Sequence, residues 1–209
     1  MLEAVDISCL KGYRLLFSGL GFRLESGEML HIAGPNGAGK TSLLRILCGL
    51  AMPDSGEVCW QGCGIGRNRD GFHRSLYYLG HAPALSRDLT VLENMQHACL
   101  VAGDDVGRTD CMQALEQSGL GDCMHLPVRL LSEGQRRQAA LSRLYLSGCR
   151  RLWLLDEPFS VLDDVATQEL GRLLCAQCHA GGIVILTTHR PVILERQPRV
   201  VTLGDGAGK

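Results

Sequence analysis

The stretch GPNGAGKT, residues 34–41, matches the phosphate-binding pattern G-x-x-x-x-G-K-[ST]. It follows the apolar run EMLHIA and opens the helix-like run TSLLRILCGL, which is the strand–loop–helix setting that the pattern requires. Glycines let backbone N–H groups converge on phosphate oxygens, and a helix N-terminus adds partial positive charge. The stretch therefore predicts a nucleotide site in which Lys40 reaches the β- and γ-phosphates and Thr41 lies on Mg²⁺. The residues predicted to contact the nucleotide here are Gly34, Pro35, Asn36, Gly37, Ala38, Gly39, Lys40, Thr41 and Ser42.

Hydrophobic periodicity around this stretch predicts an α/β fold with a largely parallel sheet. Apolar runs indicate strands at 2–7, 28–33, 151–156, 183–187 and 199–203. Helical spacing of apolar residues indicates helices at 40–50, 90–102, 110–119, 134–147 and 166–179. We expect one domain, with a core at about 1–85 and 150–209 and a helical subdomain inserted at about 86–149. The alternative is that these middle helices are further crossover helices of the sheet.

Composition narrows the class of protein. The 209 residues carry a formal net charge of −1, and aromatic residues make up 5% of the chain. No global basic field or base-stacking surface is therefore expected, and no nucleic-acid partner is predicted. The start has no basic region followed by an apolar one, and no apolar run of about 18 residues occurs. We expect a soluble cytosolic chain whose ten cysteines are reduced.

A second chemical motif ends the apolar run RLWLLDEP, residues 151–158. Asp156 at the end of this predicted strand is placed to hold Mg²⁺ through its water shell. Glu157 is placed to orient and deprotonate an attacking water, which is a general-base role. The Asp-Glu pair favours an ATPase over a small GTPase, and the guanine-reading motif N-K-x-D does not occur in the chain. ATP is therefore the predicted nucleotide.

Three further stretches carry a resemblance to a known family. LLSEGQRRQAALSRL, residues 130–144, resembles the signature loop and helix of ATP-binding cassette (ABC) ATPases. SVLD, residues 160–163, resembles their D-loop, and VILTTH ends at His189, the position of their switch histidine. Together with the phosphate loop and the Asp-Glu strand, these motifs follow the family's order along nearly the whole chain. The chain is thus identified as resembling a member of this family.

The resemblance implies a fold, a catalytic set and an assembly. The implied fold is a P-loop NTPase core with a mostly parallel sheet, an antiparallel portion and an inserted helical subdomain. It assigns catalytic roles to Glu157, His189 and Lys40. The family assembles head to tail, so a second copy of the chain is the expected partner, with ATP held between the phosphate loop of one copy and the signature of the other. The signature residues expected to contact that ATP are Ser132, Gly134 and Gln135.

Three positions depart from the family pattern. Glu133 replaces the first signature glycine, and we expect its carboxylate to face a coupling helix or solvent, away from the phosphate. His81 stands where the family has a Q-loop glutamine; either it contacts Mg²⁺ through a water or it acts only as a hinge to the helical subdomain. The adenine-stacking aromatic is predicted to be Tyr13, with Phe17 as the alternative.

Five stretches resemble, more specifically, the ATP-binding subunits of the cytochrome c maturation system. They lie at residues 16–28, 55–62, 78–85, 152–159 and 181–189, and the third contains His81. The resemblance implies a peripheral subunit on the cytoplasmic side of the bacterial inner membrane, bound to a multispanning membrane subunit. Its ATP hydrolysis would drive haem export or the release of a haem-loaded chaperone. The alternatives are the ATP-binding subunit of another small-substrate exporter and a nucleotide-gated interaction module with little turnover.

The pentapeptide CAQCH, residues 175–179, matches the C-x-x-C-H pattern of covalent haem attachment. It falls on the predicted helix at 166–179, where Leu170, Leu174 and Cys178 share one apolar face and Cys175 lies around the helix from Leu174. Cysteines packed in a helix against a sheet are not presented to haem vinyl groups. We therefore predict no covalent haem at this pattern, and the rival reading as a haem or electron carrier is disfavoured.

Overall fold

The computed structural model describes residues 1–190 and 194–204. This part of the chain contains nine strands and six α-helices. The strands are β1 (Leu2–Lys11), β2 (Arg14–Leu24), β3 (Met29–Ala33), β4 (Ser55–Trp60), β5 (Cys63–Gly64), β6 (Leu76–Leu79), β7 (Leu152–Leu155), β8 (Ile183–Thr187) and β9 (Arg199–Thr202). The helices are α1 (Lys40–Leu47), α2 (Arg69–Arg74), α3 (Val91–Ala102), α4 (Arg108–Gln117), α5 (Glu133–Leu141) and α6 (Asp164–His179).

The strands form two sheets. A parallel sheet of five strands has the order β6-β7-β8-β3-β9, and an antiparallel sheet of four strands has the order β2-β1-β4-β5. Every residue of β7 and β8 is buried, as expected for central parallel strands covered on both faces. The predicted α/β class, with a mostly parallel sheet and an antiparallel portion, is confirmed.

Five elements were not predicted from the sequence: β2, β4, β5, β6 and α2. Strand β2 is interrupted by glycines and by register shifts in its pairing with β1, so apolar and polar residues do not alternate along it. Strands β5 and β6 have only two and four residues, and α2 buries one side chain, Phe72. The predicted helix at 134–147 is α5 followed by a 3₁₀ helix at Ser142–Leu146.

The middle of the chain has a hydrophobic cluster of its own. Side chains of α3, of α4 and of the segment between α4 and α5 meet in it, including Met95, Cys111, Leu115 and Leu131. Helix α3 begins with a capping box in which Thr90 and Glu93 satisfy each other's backbone N–H groups. The division into a core and an inserted helical subdomain stays a prediction.

Helix α6 corrects one expectation about the C-x-x-C-H pattern. Cys175 and Cys178 are both buried in the cluster that packs α6 on the parallel sheet, whereas His179 is exposed. Cys178 was expected there, but Cys175 was expected off the core face. The buried face is wider than the sequence pattern predicted, and Leu194 belongs to the same cluster and packs closely on Gly171.

Within the described residues, no helix combines the length and the apolar character that a membrane span needs.

Candidate functional site

The phosphate loop connects the end of β3 to the start of α1. Two of its glycines adopt backbone conformations that a side chain would not tolerate: Gly34 has a φ of 141° with the Leu203 carbonyl against it, and Gly39 caps α1 with a φ of 101°. The Lys40 ammonium donates to the carbonyls of Gly34 at 2.8 Å and Pro35 at 3.1 Å. The lysine thus holds the loop in a closed curve over the N-terminus of α1.

Asp156, directly after β7, joins this strand to helix α1 and strand β8. Its Oδ2 accepts a hydrogen bond of 2.8 Å from the Thr41 hydroxyl at the start of α1. Its Oδ1 accepts one of 2.7 Å from the hydroxyl of Thr187, the last residue of β8. The carboxylate is buried, at 2% exposure, and both of its oxygens are hydrogen-bonded, so its position is closely defined.

Glu157 has an unusual backbone and a carboxylate that faces His189. Its φ is 52°, a left-handed conformation that is disfavoured for side chains other than glycine. Its N–H donates to Thr187 Oγ1 at 2.9 Å. Its Oε2 accepts from the His189 N–H at 3.1 Å, and the imidazole Nε2 lies 3.4 Å from Oε1. That Oε1 is buried without a hydrogen-bond partner among the described residues, so one acceptor is left for a proton donor in the site.

These residues line one cleft of about 530 Å³, a volume within the range of small-molecule sites. The cleft brings together the phosphate loop and four side chains from the ends of the parallel strands. Its lining residues are Lys11, Leu16, Asn36, Gly37, Gly39, Lys40, Thr41, Ser42, His81, Asp156, Glu157 and His189. Most of the residues predicted from the phosphate-loop and Asp-Glu motifs therefore meet in a single place.

Of the Q-loop histidine and the two candidate adenine-stacking aromatics, only the histidine lines the cleft. His81 is exposed after β6 and lines the cleft beside Asp156. Tyr13 is fully exposed in the turn between β1 and β2, and it does not line the cleft. Phe17, the alternative stacking residue, is buried in the core next to Gly39, so no face of its ring is available to a base.

The signature residues form the N-terminus of α5, and none of them lines the cleft of their own chain. Ser132 and Gln135 make a capping box: the Ser132 N–H donates to Gln135 Oε1 at 2.9 Å, and the Gln135 N–H donates to Ser132 Oγ at 3.1 Å. A Cβ on Gly134 would lie 2.9 Å from the Val161 carbonyl. Glu133 is exposed. The predicted nucleotide contacts thus fall into two groups that this single chain does not bring together.

Arg137 is a residue of this region that the sequence reading did not single out. It lies on α5 with 2% of its side chain exposed. Its Nη1 donates to the carbonyls of Gly80 and His81, each at 3.2 Å, and its Nη2 donates to those of Asp156 at 2.6 Å and Glu157 at 2.8 Å. Burial lowers the pKa of this guanidinium. The residues next to Arg137 in the sequence do not indicate these contacts, because the segment is basic and the acceptors lie elsewhere in the chain.

The fold and the cleft together define the class of protein. The ABC transporter family model matches residues 17–160, more than half of the chain, and the chain belongs to this family. A cytochrome c biogenesis ATP-binding export protein, CcmA, of Aromatoleum aromaticum is 55% identical over 99% of this chain and 97% of its own length.

Two solved structures share the fold at lower identity. A putative ABC transporter ATP-binding protein from Pyrococcus furiosus superposes with a TM-score of 0.80 at 22% identity, covering 97% of this chain and 96% of that one. An ATP-binding cassette solved as a dimer in a post-hydrolysis state with ADP and Pi has a TM-score of 0.78 at 23% identity, covering 91% and 88%.

Proposed function

We propose that this chain is the ATP-hydrolysing subunit of a membrane transporter that acts in the maturation of c-type cytochromes. The observation that carries the ATPase part is the single cleft in which a phosphate loop, Asp156 and the Glu157–His189 pair meet. The cytochrome part is supported by the 55% identity, over nearly the full length, to a protein named for cytochrome c biogenesis.

The phosphate loop binds the triphosphate of ATP. Its backbone N–H groups and the N-terminus of α1 receive the phosphate oxygens. Lys40, which donates to two loop carbonyls, exchanges these neutral acceptors for the charged β- and γ-phosphate oxygens, since charge-assisted hydrogen bonds are the stronger ones. Tyr13 is free to stack on the adenine, because its ring is fully exposed.

Glu157 is the proposed general base. Water attacks the γ-phosphorus while the bond to the β,γ-bridging oxygen breaks, and Glu157 takes the proton from the attacking water. Its unpartnered Oε1 is the acceptor available for that proton. His189 orients the carboxylate through its backbone N–H, and its imidazole, 3.4 Å from Oε1, is proposed to contact the γ-phosphate.

The donor set of the cleft fits Mg²⁺. Thr41 and Asp156 supply hard oxygen ligands 2.8 Å apart, and Mg²⁺ in nucleotide sites takes one or two protein oxygens together with phosphates and waters. When bound, the ion neutralises charge on the phosphate oxygens. The imidazole of His81 is a poor direct ligand, so His81 is proposed to contact the ion's water or to act as a hinge.

A second copy of the chain completes the site. Ser132, Gly134 and Gln135 lie outside the cleft of their own chain, so they are proposed to reach the γ-phosphate bound by a partner copy. The Ser132 hydroxyl only accepts in its capping box, which leaves its proton free for a phosphate oxygen. The related cassette solved with ADP and Pi is itself a dimer. We further propose peripheral binding to a multispanning subunit at the cytoplasmic face of the inner membrane.

The test of the ATPase is the variant Glu157→Gln. We expect hydrolysis to fall at least 100-fold while ATP binding is retained and ATP-dependent dimers accumulate, because the amide keeps the shape but not the basicity of the carboxylate. Unchanged turnover would remove Glu157 as the base. Binding without hydrolysis by the wild-type chain, alone or with its membrane subunit, would favour the nucleotide-gated module.

The test of the cytochrome role is complementation. A strain without this chain should lack covalent haem in its c-type cytochromes, as seen by haem staining of denaturing gels. The wild-type chain should restore the stain and Lys40→Ala should not. Normal staining in the deletion strain would favour another small-substrate exporter, and affinity purification from membranes would then identify its partner subunit.

A further inference from the structure

Arg137 joins two peptides that lie at the ends of neighbouring parallel strands. The Gly80–His81 peptide follows β6, and the Asp156–Glu157 peptide follows β7. Arg137 Nη1 donates to the carbonyls of Gly80 and His81, and its Nη2 donates to those of Asp156 and Glu157. Arg137 lies on α5, the helix whose N-terminus carries the signature residues and which packs on these strands.

Burying the Arg137 guanidinium costs free energy, because it carries a charge. A buried charge is strongly disfavoured unless it is paired or fully hydrogen-bonded. Among the described residues no carboxylate oxygen lies within 4.0 Å of Arg137, and its Nε has no partner. Its four acceptors are all backbone carbonyls. These hydrogen bonds therefore position the two backbone segments and do not form an ion pair.

The peptide that Arg137 holds most closely is the strained one. Glu157 has a φ of 52°, a conformation that costs about 1–2 kcal/mol for an ordinary residue. Its N–H is held by Thr187 on one side, and its carbonyl accepts from Arg137 at 2.8 Å on the other. These two bonds fix the peptide planes from which the Glu157 side chain projects toward His189.

We infer that Arg137 is a positioning residue for hydrolysis: through the Asp156–Glu157 carbonyls it sets the direction of the Glu157 carboxylate. This inference rests on the proposed function, since it concerns the base of that reaction. Because Arg137 lies about 1.4 turns along α5 from its N-cap Ser132, a displacement of the signature end of α5 moves the guanidinium as well. The same side chain holds the carbonyl of His81, so the two strand ends that frame the cleft move together.

The test compares Arg137→Gln and Arg137→Lys with wild type in the complete transporter. We expect Arg137→Gln to lower kcat by about 10- to 100-fold, as misplacement of a catalytic group by about 1 Å does, with the KM for ATP changed less than about threefold. Lysine keeps the charge but not the four-way fork, so Arg137→Lys should recover part of kcat. The control Arg172→Gln removes an exposed arginine of α6 and should leave both constants unchanged.

A double-mutant cycle separates positioning from general structural damage. If Arg137 acts through Glu157, adding Arg137→Gln to Glu157→Gln should not slow single-turnover hydrolysis further. Fully additive losses, or an unchanged kcat in both Arg137 variants, would overturn the inference. If Arg137→Gln does not fold, Arg137→Lys decides, and wild-type kcat in that variant overturns it. A wild-type complex that hydrolyses no ATP would refute the proposed function itself, whereas active wild type with equally active Arg137 variants refutes only the role of Arg137.

Discussion

Thr41 and Asp156 are 115 residues apart in the chain, and the hydroxyl of the first donates a hydrogen bond of 2.8 Å to the carboxylate of the second. Thr41 is the second residue of α1, the helix after β3, and Asp156 directly follows β7. Strand β8 lies between these two strands, and its Thr187 hydroxyl occupies the other oxygen of Asp156. The parallel sheet therefore brings together the two halves of the proposed Mg²⁺–ATP site.

The first prediction concerns this contact. Asp156→Asn should lower ATP hydrolysis about 100-fold or more, because the charge that would balance the metal is lost, and it should abolish the effect of Mg²⁺ on ATP affinity. ATP binding with and without EDTA, followed by calorimetry, measures the second effect. Thr41→Ser keeps the hydroxyl and is the matched control, for which we expect near-normal turnover. Mg²⁺-dependent binding that survives in Asp156→Asn would contradict the assignment.

The second prediction concerns His189. In His189→Ala the backbone N–H still donates to Glu157 Oε2, but the imidazole that lies 3.4 Å from Oε1 is removed. We expect kcat to fall about 10- to 100-fold, with little change in ATP affinity. His179→Ala, at an exposed position at the end of α6, should leave kcat unchanged. Equal turnover in the two variants would exclude a catalytic role for His189.

The third prediction concerns the close approach of the signature to the loop after β7. An alanine at Gly134 places its Cβ 2.9 Å from the Val161 carbonyl, which forces one of the two segments to shift and costs about 1–3 kcal/mol. Gly134→Ala should lower the melting temperature and weaken ATP-dependent dimerisation of the Glu157→Gln chain, as measured by size-exclusion chromatography. Gly148→Ala has open space around it and is the control. Dimerisation unaffected by Gly134→Ala would argue against the signature as the interface.

The fourth prediction concerns the thiols of the C-x-x-C-H pattern. Burial raises the pKa of Cys178 from 9.0 to about 11, and the thiolate is the nucleophilic form. At pH 8 iodoacetamide should modify the exposed Cys63 and Cys149 but not Cys175 or Cys178, with mass spectrometry as the readout. The unfolded thiol ionises near 9.0 and the folded one near 11, so the stability due to Cys178 is present below pH 9 and is lost as pH rises through this window. Cys178 labelling as fast as that of Cys63 would show that it is accessible.

The sequence predicted the parts of the site whose chemistry is local. The phosphate loop, the Asp-Glu strand end and His189 are each recognisable within about ten residues, and the structure brings them into one cleft. Arg137 was not predicted, because its four acceptors are 19 to 57 residues away in the chain. Strand β2 was missed for a related reason: its bulges break the alternation on which strand prediction depends.

The buried face of α6 was also predicted only in part from the sequence. The sequence pattern placed Cys178 on the core face, which is confirmed, and placed Cys175 off it, which is wrong. A helical wheel gives the centre of an apolar face but not its width, because the width depends on what packs against the helix. Tyr13 and His81 remain predictions, since their proposed roles concern a ligand.

The capping box of α5 bears on the proposed assembly of two copies of the chain. Ser132 and Gln135 satisfy each other's backbone N–H groups in the single chain, so the segment that would reach the other copy's ATP is already ordered. A preorganised segment loses little conformational entropy on association. In the proposed dimer, forming the interface would therefore require little ordering of this segment, and hydrolysis would remove the γ-phosphate that the segment contacts.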